Sequence, residues 1–461
     1  MKFRSLWLTA LACSLGSGCS PAPESGDRPN LLLITIDTLR SDHCSVYGYD
    51  HDTTPNLRRL AEEGARFDLA YAPTSTTGPT HASILTGLYP PTHGVVKNGL
   101  ELAERHETLA EVLAARGYQT AAVVSSYILD SLFGYAQGFT TYQDDFDPAT
   151  STMEFDTREG QEISQGYDSR ADATTRRATR WLWEDRDRNR PFFLFVHYFD
   201  PHEPYEAPGA FARRFPPPPA DPAGRPRASQ ETREEIRQYD GEIAFTDQEI
   251  GRLLETLERE GLAENTLVVI TADHGEGLMD HQVMGHGVYI YEELVRVPLL
   301  LRWPGRIPPG RSFAEPVEQV DLAPTLLDLV GAPPDSQRFQ GRSLAGSLLG
   351  DTPLDPDRPV YLQRRHYTEQ FERGIRVKGE QYAIRWGRWK YIDASDQGRT
   401  ELYDLENDPR ERVDRSRDEP HHAARLAERL ATWRQRQAGE RPLPAISTRD
   451  REALEALGYV E

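Results

Sequence analysis

The sequence predicts an α/β fold, in which a doubly wound, largely parallel sheet is followed by a small C-terminal α+β subdomain. Three continuous apolar runs each end in an aspartate: residues 30–37 (NLLLITID), 192–200 (FFLFVHYFD) and 266–273 (TLVVITAD). Such runs are typical of strands that are buried on both faces of a parallel sheet. Helical patterns lie between them, and strands that alternate with helices indicate a doubly wound sheet.

The segments between these runs supply the helices. Residues 54–63 (TPNLRRLAEE) begin with threonine and proline, which is a helix start signal. Residues 107–116 show the helical pattern again, and residues 120–125 form the next strand pattern. Residues 231–260 carry isoleucine and leucine at helical spacing, which predicts one or two long amphipathic helices.

A Gly/Asp/Pro-rich stretch after Leu349 indicates a domain boundary. We therefore place the main domain at residues 29–350 and a C-terminal subdomain at residues 351–461. The subdomain contains short strand patterns and one charged helical pattern, which predict a small antiparallel sheet with a helix. They lie at residues 360–363, 381–393 (turning at Gly387), 401–404 and 422–436.

The charge balance limits the class of partner. The chain has 461 residues, and 53 Lys and Arg residues stand against 73 Asp and Glu residues, so its net charge is −20. Nucleic acid is therefore excluded as the main partner, because phosphate backbones are bound by basic surfaces. A small anionic substrate stays compatible with this charge, since a bound metal ion reverses the field locally.

The first 28 residues predict export and anchoring. Two basic residues, a short apolar stretch and small residues are typical of a secretion signal, and the stretch is too short to span a membrane. Residues 15–19 (LGSGC) resemble a lipoprotein processing box. We expect Cys19 to become a lipidated N-terminus that anchors the chain to the outer membrane, with residues 20–28 as a tether. Cleavage by ordinary signal peptidase, which gives a periplasmic protein, is the alternative.

Residues 71–95 contain the segment on which the chemistry depends. Thr77 is predicted to be a helix N-cap, Pro79 to lie in the first turn, and Gly87 to end the helix. The Thr77 hydroxyl then lies where unpaired backbone N–H groups and the helix dipole favour an anion. A threonine in that position can act as a nucleophile towards a phosphate-like group. The alternative is that Thr77 only caps a helix.

This segment resembles the nucleophile segment of the sulfatase family, which reads Cys/Ser-x-Pro-x-Arg, then Leu-Thr-Gly-x-Tyr-Pro and His-Gly. Here Thr77 replaces the Cys or Ser and His81 replaces the Arg, while residues 85–90 (LTGLYP) and 93–94 (HG) match. Both departures resemble the nucleotide pyrophosphatase/phosphodiesterases. The two families belong to the alkaline phosphatase superfamily, and the resemblance covers nearly everything after residue 28.

The resemblance implies a divalent metal held by Asp37, Thr77, Asp273 and His274. Thr38 stands where sulfatases usually carry a second acid. An imidazole with two carboxylates favours zinc or manganese, whereas calcium, the alternative, prefers a larger number of oxygen ligands.

A second cluster contains Asp200, His202 and His286, and two interpretations of it stay open. In the first interpretation, the three residues hold a second metal, as in two-metal phosphodiesterases. In the second, His202 and His286 bind the ester oxygens and protonate the leaving group, as in one-metal sulfatases. The phosphodiesterases space this Asp and His four residues apart, whereas the gap here is two. Lys97 is a further candidate for binding substrate.

Together these features predict a secreted, metal-dependent hydrolase that cleaves phosphate or phosphonate esters of a small molecule, glycan or lipid. Thr77 attacks, His81 or His202 stabilises the developing charge, and His202 or His286 protonates the leaving alcohol. Formylglycine sulfatases use an aldehyde hydrate, which threonine cannot form. The alternatives are a sulfatase that works without formylglycine, a phospho-group transferase and a catalytically inactive binding lipoprotein.

Overall fold

A computed structural model describes residues 28–146, 167–219, 229–332, 338–350 and 352–437. The predicted signal segment with Cys19 lies outside the described residues. Among the residues that the structure does describe, no helix has the length and apolar character needed to cross a membrane.

The described residues form fifteen β-strands in three sheets, of nine, four and two strands. In chain order the strands are β1 (Asn30–Ile36), β2 (Ala65–Tyr71), β3 (Gln119–Val123), β4 (Thr141–Gln143), β5 (Phe192–Tyr198), β6 (Thr266–Ala272), β7 (Gly277–Leu278), β8 (Met284–Gly285), β9 (Arg296–Arg302), β10 (Arg311–Phe313), β11 (Val317–Glu318), β12 (Val360–Glu372), β13 (Ile375–Trp386), β14 (Trp389–Ala394) and β15 (Arg399–Asp404).

Ten α-helices accompany them in the described part of the chain. They are α1 (Pro55–Glu62), α2 (Thr77–Thr86), α3 (Pro90–His93), α4 (Leu109–Ala115), α5 (Ala171–Arg180), α6 (Gln230–Arg259), α7 (Glu292–Val295), α8 (Leu322–Leu329), α9 (Ala345–Leu349) and α10 (Pro420–Gln437).

The large sheet confirms the predicted architecture. Its order is β10-β2-β9-β6-β1-β5-β3-β4, with β11 also paired to β2, and within this sheet β9 alone runs antiparallel to its neighbours. Strands β1, β5 and β6 are buried along their whole length, so both faces of the sheet centre are covered. The three aspartate-ending runs of the sequence are therefore adjacent strands whose carboxyl ends meet at one edge.

The C-terminal subdomain is the antiparallel sheet β12-β13-β14-β15 with α10 packed against it. The strand predicted at residues 360–363 extends much further, to Glu372. It does so because β13 pairs with it along its length, up to the final pair, Glu372 opposite Ile375. Arg373 and Gly374 join the two strands, and both have positive φ (47° and 79°), as a two-residue type I′ turn requires. Polar residues alternate too irregularly in this hairpin for its full length to be predicted from the sequence.

Candidate active site

The carboxyl ends of β1, β5 and β6 place two aspartates side by side. The backbone N–H of Asp37 donates to the carbonyl of Tyr198 (2.9 Å), and that of Asp273 donates to the carbonyl of Ile36 (3.3 Å). These bonds continue the ladder one residue beyond each strand, so the carboxylates emerge next to each other at the sheet edge. Both side chains are buried.

Thr77 is the first residue of α2, not its N-cap. Thr76 occupies the cap position and makes no side-chain capping bond, which corrects the predicted role of Thr77 in capping. The Thr77 hydroxyl is therefore not used by the helix, and it lies 3.4 Å from Nε2 of His274. The backbone N–H of Gly78 donates to Oδ1 of Asn98 (2.8 Å), which fixes the start of the helix. The predicted end at Gly87 is confirmed.

The two carboxylates have unused oxygens. Neither oxygen of Asp37 has a hydrogen-bond partner among the described residues, and Oδ2 of Asp273 has none either. Oδ1 of Asp273 accepts from the backbone N–H groups of Thr38 (3.1 Å) and His274 (2.7 Å). Burial, together with the charge of Asp273, raises the pKa of Asp37 to about 8. Buried carboxylates with free oxygens are the groups that a cation stabilises.

The residues present fit a divalent cation. One ligand atom from each of Asp37, Asp273 and His274 lies within 4.8 Å of the others. Nδ1–H of His274 donates to the carbonyl of Gly275 (2.8 Å), so the lone pair is on Nε2, which lies 3.6 Å from Oδ2 of Asp273. Carboxylates combined with an imidazole match the donor preferences of zinc and manganese.

His197 is a fourth buried group at this point, and the sequence analysis assigned it no role. It lies within β5, and Nε2 is 3.5 Å from Oδ2 of Asp37. A ligand atom of His197 also lies within 4.8 Å of ligand atoms of His81 and Asp273. The only signal in the sequence is a histidine inside an otherwise apolar strand, and such a residue is more often a core histidine.

His81 lies below Thr77 with both ring nitrogens in use. Nδ1–H donates to the carbonyl of Thr77 (2.8 Å), and Nε2 accepts from the hydroxyl of Thr35 (2.9 Å). Burial and the nearby His197 lower the pKa of His81 to about 3. His81 therefore holds the first turn of α2 in place, and in this structure it has no N–H free to stabilise charge on a substrate.

His202 and His286 lie together beside His274, so the two residues are neighbours as the sequence analysis expected. Their ring centroids are 5.0 Å apart, and those of His286 and His274 are 4.5 Å apart. Nδ1–H of His286 donates to Oε1 of Glu276 (3.2 Å), and the hydroxyl of Tyr205 donates to Oε2 of the same residue (2.9 Å). The sequence analysis gave Glu276 no role, although it is part of the D-H-G-E segment that follows β6.

Asp200 is not part of the group of potential metal ligands formed by Asp37, Asp273 and His274. Oδ2 of Asp200 accepts from the backbone N–H of Ala171 (2.7 Å), at the start of α5, and burial raises the pKa of Asp200 to about 6. Among the described residues, Asp200, His202 and His286 do not form a group of metal ligands. The two-metal interpretation is therefore not met, because the carboxylate is directed to a helix start.

Lys97 lies near the beginning of α2. It is half-buried, and its neighbour Asn98 accepts the hydrogen bond from Gly78. Lys97 is therefore close to the start of the helix that carries Thr77, and its role in binding substrate stays a prediction.

The C-terminal subdomain also contributes to the site. The guanidinium of Arg373 donates to both carboxylate oxygens of Glu203 (2.6 and 3.2 Å). It also lies against Gly285, where a Cβ would be only 2.0 Å from Nη1. Arg373 thus bridges the residue after His202 and the residue before His286. Sequence reasoning could not find it, because the contact depends on how the two parts of the chain pack.

Comparisons with known protein families define the class of this chain. The family described as Sulfatase matches residues 29–332, more than half of the chain, and the one described as N-sulphoglucosamine sulphohydrolase, C-terminal, matches residues 280–436. The chain belongs to the sulfatase family, and it is a sulfatase-family hydrolase.

Curated relatives share most of its length. N-acetylglucosamine-6-O-sulfatase of Bacteroides thetaiotaomicron is 29% identical, and the alignment covers 88% of this chain and 86% of that protein. Human arylsulfatase A is 28% identical, over 78% of this chain and 74% of that protein.

Solved structures confirm the predicted fold class. One structure, in complex with its substrate D-glucosamine-2-N,6-O-disulfate, is similar with a TM-score of 0.74 and 26% identity, over 89% of this chain and 98% of that one. The phosphonate monoester hydrolase of Agrobacterium radiobacter has the same fold, with a TM-score of 0.73 and 24% identity, over 89% and 96% of the two chains.

Proposed function

We propose that this protein is a metal-dependent hydrolase that cleaves phosphate or phosphonate esters, with the Thr77 hydroxyl as its nucleophile. The observation that carries the proposal is the position of this hydroxyl. It lies on the first residue of α2, 3.4 Å from Nε2 of His274, whose ligand atom lies within 4.8 Å of the buried carboxylates of Asp37 and Asp273. Three oxygens of these two carboxylates have no hydrogen-bond partner among the described residues. A nucleophile, an anion-binding helix start and a cation-binding group meet there.

Asp37, Thr77, Asp273 and His274 are the residues that would hold the divalent cation. Their mixture of carboxylate, hydroxyl and imidazole favours zinc or manganese, with calcium as the alternative. When bound, such a cation activates the coordinated hydroxyl and offsets the negative charge of the ester. One cation is the number that the ligand group supports.

His202 is the better placed proton donor for the leaving alcohol. Nδ1–H donates to the carbonyl of Glu203 (2.6 Å), so Nε2 is left to face the substrate. Burial lowers the pKa of His202, but the carboxylates of Asp37, Glu203 and Glu276 raise it by more, so its pKa lies above the ordinary value. In the first step the Thr77 hydroxyl releases its proton to solvent and its oxygen bonds to phosphorus. The bond from phosphorus to the alcohol oxygen breaks, and that oxygen takes the His202 proton.

His286 suits the second step. Burial, with the nearby His274 and His202, lowers its pKa well below the ordinary value, and Glu276 holds Nδ1–H. Nε2 of His286 can therefore accept a proton from the water that cleaves the phosphothreonyl ester. Such opposite shifts in two neighbouring imidazoles favour one acid and one base.

Phosphate or phosphonate esters are favoured because threonine has a single hydroxyl. A formylglycine hydrate has two, and the second expels sulfate from the enzyme, whereas a threonyl sulfate has no such internal exit. A phosphothreonyl ester can be cleaved by water at phosphorus. Sulfate esters are the second candidate, since the curated relatives named above are sulfatases.

The test compares matched aryl phosphate, phosphonate and sulfate esters. We expect phosphate or phosphonate to have the highest kcat/KM, and Thr77→Ala to lower it by about 10³-fold or more, since covalent catalysis is lost. Thr77→Ser keeps measurable activity, and Thr80→Ser in the same helix is the matched control. Accurate-mass analysis of acid-quenched enzyme should find phosphothreonine at residue 77. A sulfate preference that survives in Thr77→Ala would refute both the nucleophile and the substrate class.

We also propose that the protein is a cell-envelope lipoprotein anchored through Cys19. The support is the signal-like N-terminus and the processing-box pattern at residues 15–19. The ester substrate is then a small molecule, glycan or lipid met outside the inner membrane. The alternative is a transferase that passes the phospho-group to an envelope alcohol instead of water. Analysis of the products formed in the presence of an added alcohol distinguishes this transfer from hydrolysis.

A further inference from the structure

A row of arginines lies on the exposed face of α10 in the C-terminal subdomain. Arg425, Arg429 and Arg436 are all exposed. Because an α-helix has about 3.6 residues per turn, these three positions fall within about 40° of one another around the helix axis. From Arg425 to Arg436 the row extends for about 16 Å, at about 1.5 Å per residue. The three guanidinium groups are therefore presented to solvent along one line.

The arginines of this row have no acidic partner. Within the described part of the chain, none of the three side chains forms a salt bridge with a carboxylate. On α5, by contrast, the exposed Arg176 pairs with Asp172 (2.5 Å) and Arg180 pairs with Glu184 (2.9 Å), each one turn away. Carboxylates are not scarce in this protein, since 73 Asp and Glu residues stand against 53 Lys and Arg residues. The row is therefore available to an anion from outside the chain.

Trp386 holds two of these guanidinium groups. Cζ of Arg425 lies 4.2 Å from the centroid of the Trp386 ring, and Cζ of Arg429 lies 3.7 Å from it. The indole N–H donates to the carbonyl of Asp357 (2.8 Å), which fixes the ring at the end of β13. Stacking on an aromatic ring leaves the N–H groups at the edge of a guanidinium free, and it reduces the entropy that is lost when they bind. The two arginines are therefore oriented donors.

Further positive charge lies beside the row. Burial, with the charge of Glu318, raises the pKa of the Tyr361 hydroxyl, and the charges of three neighbouring arginines lower it. These arginines are Arg429, Arg436 and Arg342. Within α10 itself, four arginines stand against one acid, Glu428. The local charge is thus opposite in sign to the net charge of −20 of the whole chain.

The chemistry of the row favours sulfate and phosphate groups on a linear polymer. The planar fork of an arginine donates two parallel hydrogen bonds to an oxyanion. A single polymer chain can follow the row while it avoids the acidic surface elsewhere. A flat anionic membrane would also approach that acidic surface, because charges are screened only beyond about 8 Å. Nucleic acid is typically held by more phosphate contacts than three arginines supply.

We propose that Arg425, Arg429 and Arg436, together with Trp386, form a binding surface for an anionic polysaccharide that carries sulfate or phosphate groups. The surface lies on α10, outside the candidate active site, and it holds the polymer without taking part in the cleavage of an ester. This inference goes beyond the proposed function and does not depend on the nucleophile or the cation proposed there.

The test is a calorimetric titration of the full-length protein at about 0.15 M salt. Heparin is the sulfated probe, and hyaluronate, whose negative groups are carboxylates only, is the comparison. We expect heparin to bind more tightly than hyaluronate, and Arg425→Gln/Arg429→Gln to weaken heparin binding about tenfold or more. The matched control is Arg176→Gln/Arg180→Gln, which changes the net charge equally on α5 and should bind heparin as the wild type does.

Several outcomes would overturn this surface. They are a wild type that does not bind heparin, an Arg425→Gln/Arg429→Gln variant that binds it equally well, and an equal loss in both double variants. Equal affinity for hyaluronate would overturn the preference for sulfate or phosphate. Titrations with duplex DNA and with phosphatidylglycerol vesicles complete the test, since tighter binding of either through the same arginines would replace the polysaccharide by that partner.

The hydrolysis of a small aryl ester separates this inference from the proposed function. Both double variants should keep the kcat/KM of the wild type, because neither changes a residue of the candidate active site. A wild type that binds heparin but hydrolyses none of the esters would contradict the proposed function and leave the binding surface standing.

Discussion

Thr38 donates its backbone N–H to Oδ1 of Asp273 across 3.1 Å, from a left-handed conformation with φ of 54°. A β-branched residue in this region is strained, and such strain is retained where the surroundings require it. Here it orients the Asp273 carboxylate, so that Oδ2 is left for a cation. The Thr38 hydroxyl is also buried with no partner among the described residues.

Thr38→Asp should move the metal preference towards calcium. The change places the acid that sulfatases usually carry beside Asp37 and Asp273, and calcium binds a larger number of oxygen ligands than zinc does. Without any cation, a third buried carboxylate should lower the melting temperature. Calcium and manganese titrations of the variant and wild type check this, with Thr38→Val as the uncharged control. An unchanged ratio of the two affinities would contradict the prediction.

Asp273→Asn should lose bound metal and activity together. The amide keeps an oxygen towards Thr38 but removes the negative charge next to His274, so the cation loses a principal ligand. Metal analysis and kcat/KM of the purified variant test this, with the surface change Asp172→Asn as control. Full metal content in Asp273→Asn would exclude this carboxylate from the site.

The metal-free protein should lose stability as the pH rises from about 4 to 8. Burial and the charge of Asp273 raise the pKa of Asp37 to about 8, so the folded state binds a proton that the unfolded state releases near its ordinary value of 3.8. Where the folded state binds more protons, stability falls with increasing pH. In the presence of a chelator, the melting temperature should therefore fall more steeply with increasing pH for the wild type than for Asp37→Asn. Saturation with a divalent cation should remove the difference between the two proteins. Parallel pH profiles of the melting temperature in chelator would contradict the raised pKa of Asp37.

Arg373→Ala should lower kcat/KM by about tenfold, which corresponds to ~1.4 kcal/mol. The guanidinium joins Glu203 to Gly285, and each is adjacent to one of the two histidines, His202 and His286, to which we assign proton transfer. Arg373→Lys should recover part of the loss, because it keeps the charge but not the two-oxygen contact. Metal affinity should stay the same in both variants. A loss of metal together with activity would show that the change acts on the whole fold.

Cys19→Ala should release the protein into the soluble periplasmic fraction. A lipidated cysteine is the anchor that we propose, and alanine cannot carry the lipid. Fractionation of cell envelopes, with Cys44→Ala as the matched cysteine control, provides the measurement. Membrane association that persists in Cys19→Ala would rule out this anchor.

The sequence was sufficient for the parts of the fold that have strong periodicity. Strands β1, β5 and β6 begin at the predicted residues, because long apolar runs have few alternative structures. Residues 231–260 left one or two helices open, and the structure shows the single helix α6. The hairpin of β12 and β13 was underestimated, since its length depends on pairing between strands and not on apolar alternation.

The residues of the candidate site also divide into those that a sequence pattern indicates and those that it does not. Asp37, Thr77, Asp273 and His274 were predicted because each follows a recognisable strand or motif, and the structure places them close together. His197 was missed because it sits inside an apolar strand without altering the pattern. Glu276 was quoted as part of a motif without a role, since its partners, His286 and Tyr205, are only brought to it by folding.

The hairpin of β12 and β13 contacts the segments of the two histidines but comes from a different part of the fold than the potential metal ligands. Its turn carries Arg373 to the two histidine segments, and the neighbouring Phe371 has 77% of its surface exposed. The metal group, by contrast, lies on the ends of the central strands. Changes confined to this hairpin can therefore act on the segments that carry the two histidines while Asp37, Asp273 and His274 stay in place. After a gene duplication, the hairpins of the two copies can therefore diverge in sequence while the central strands of both copies stay the same.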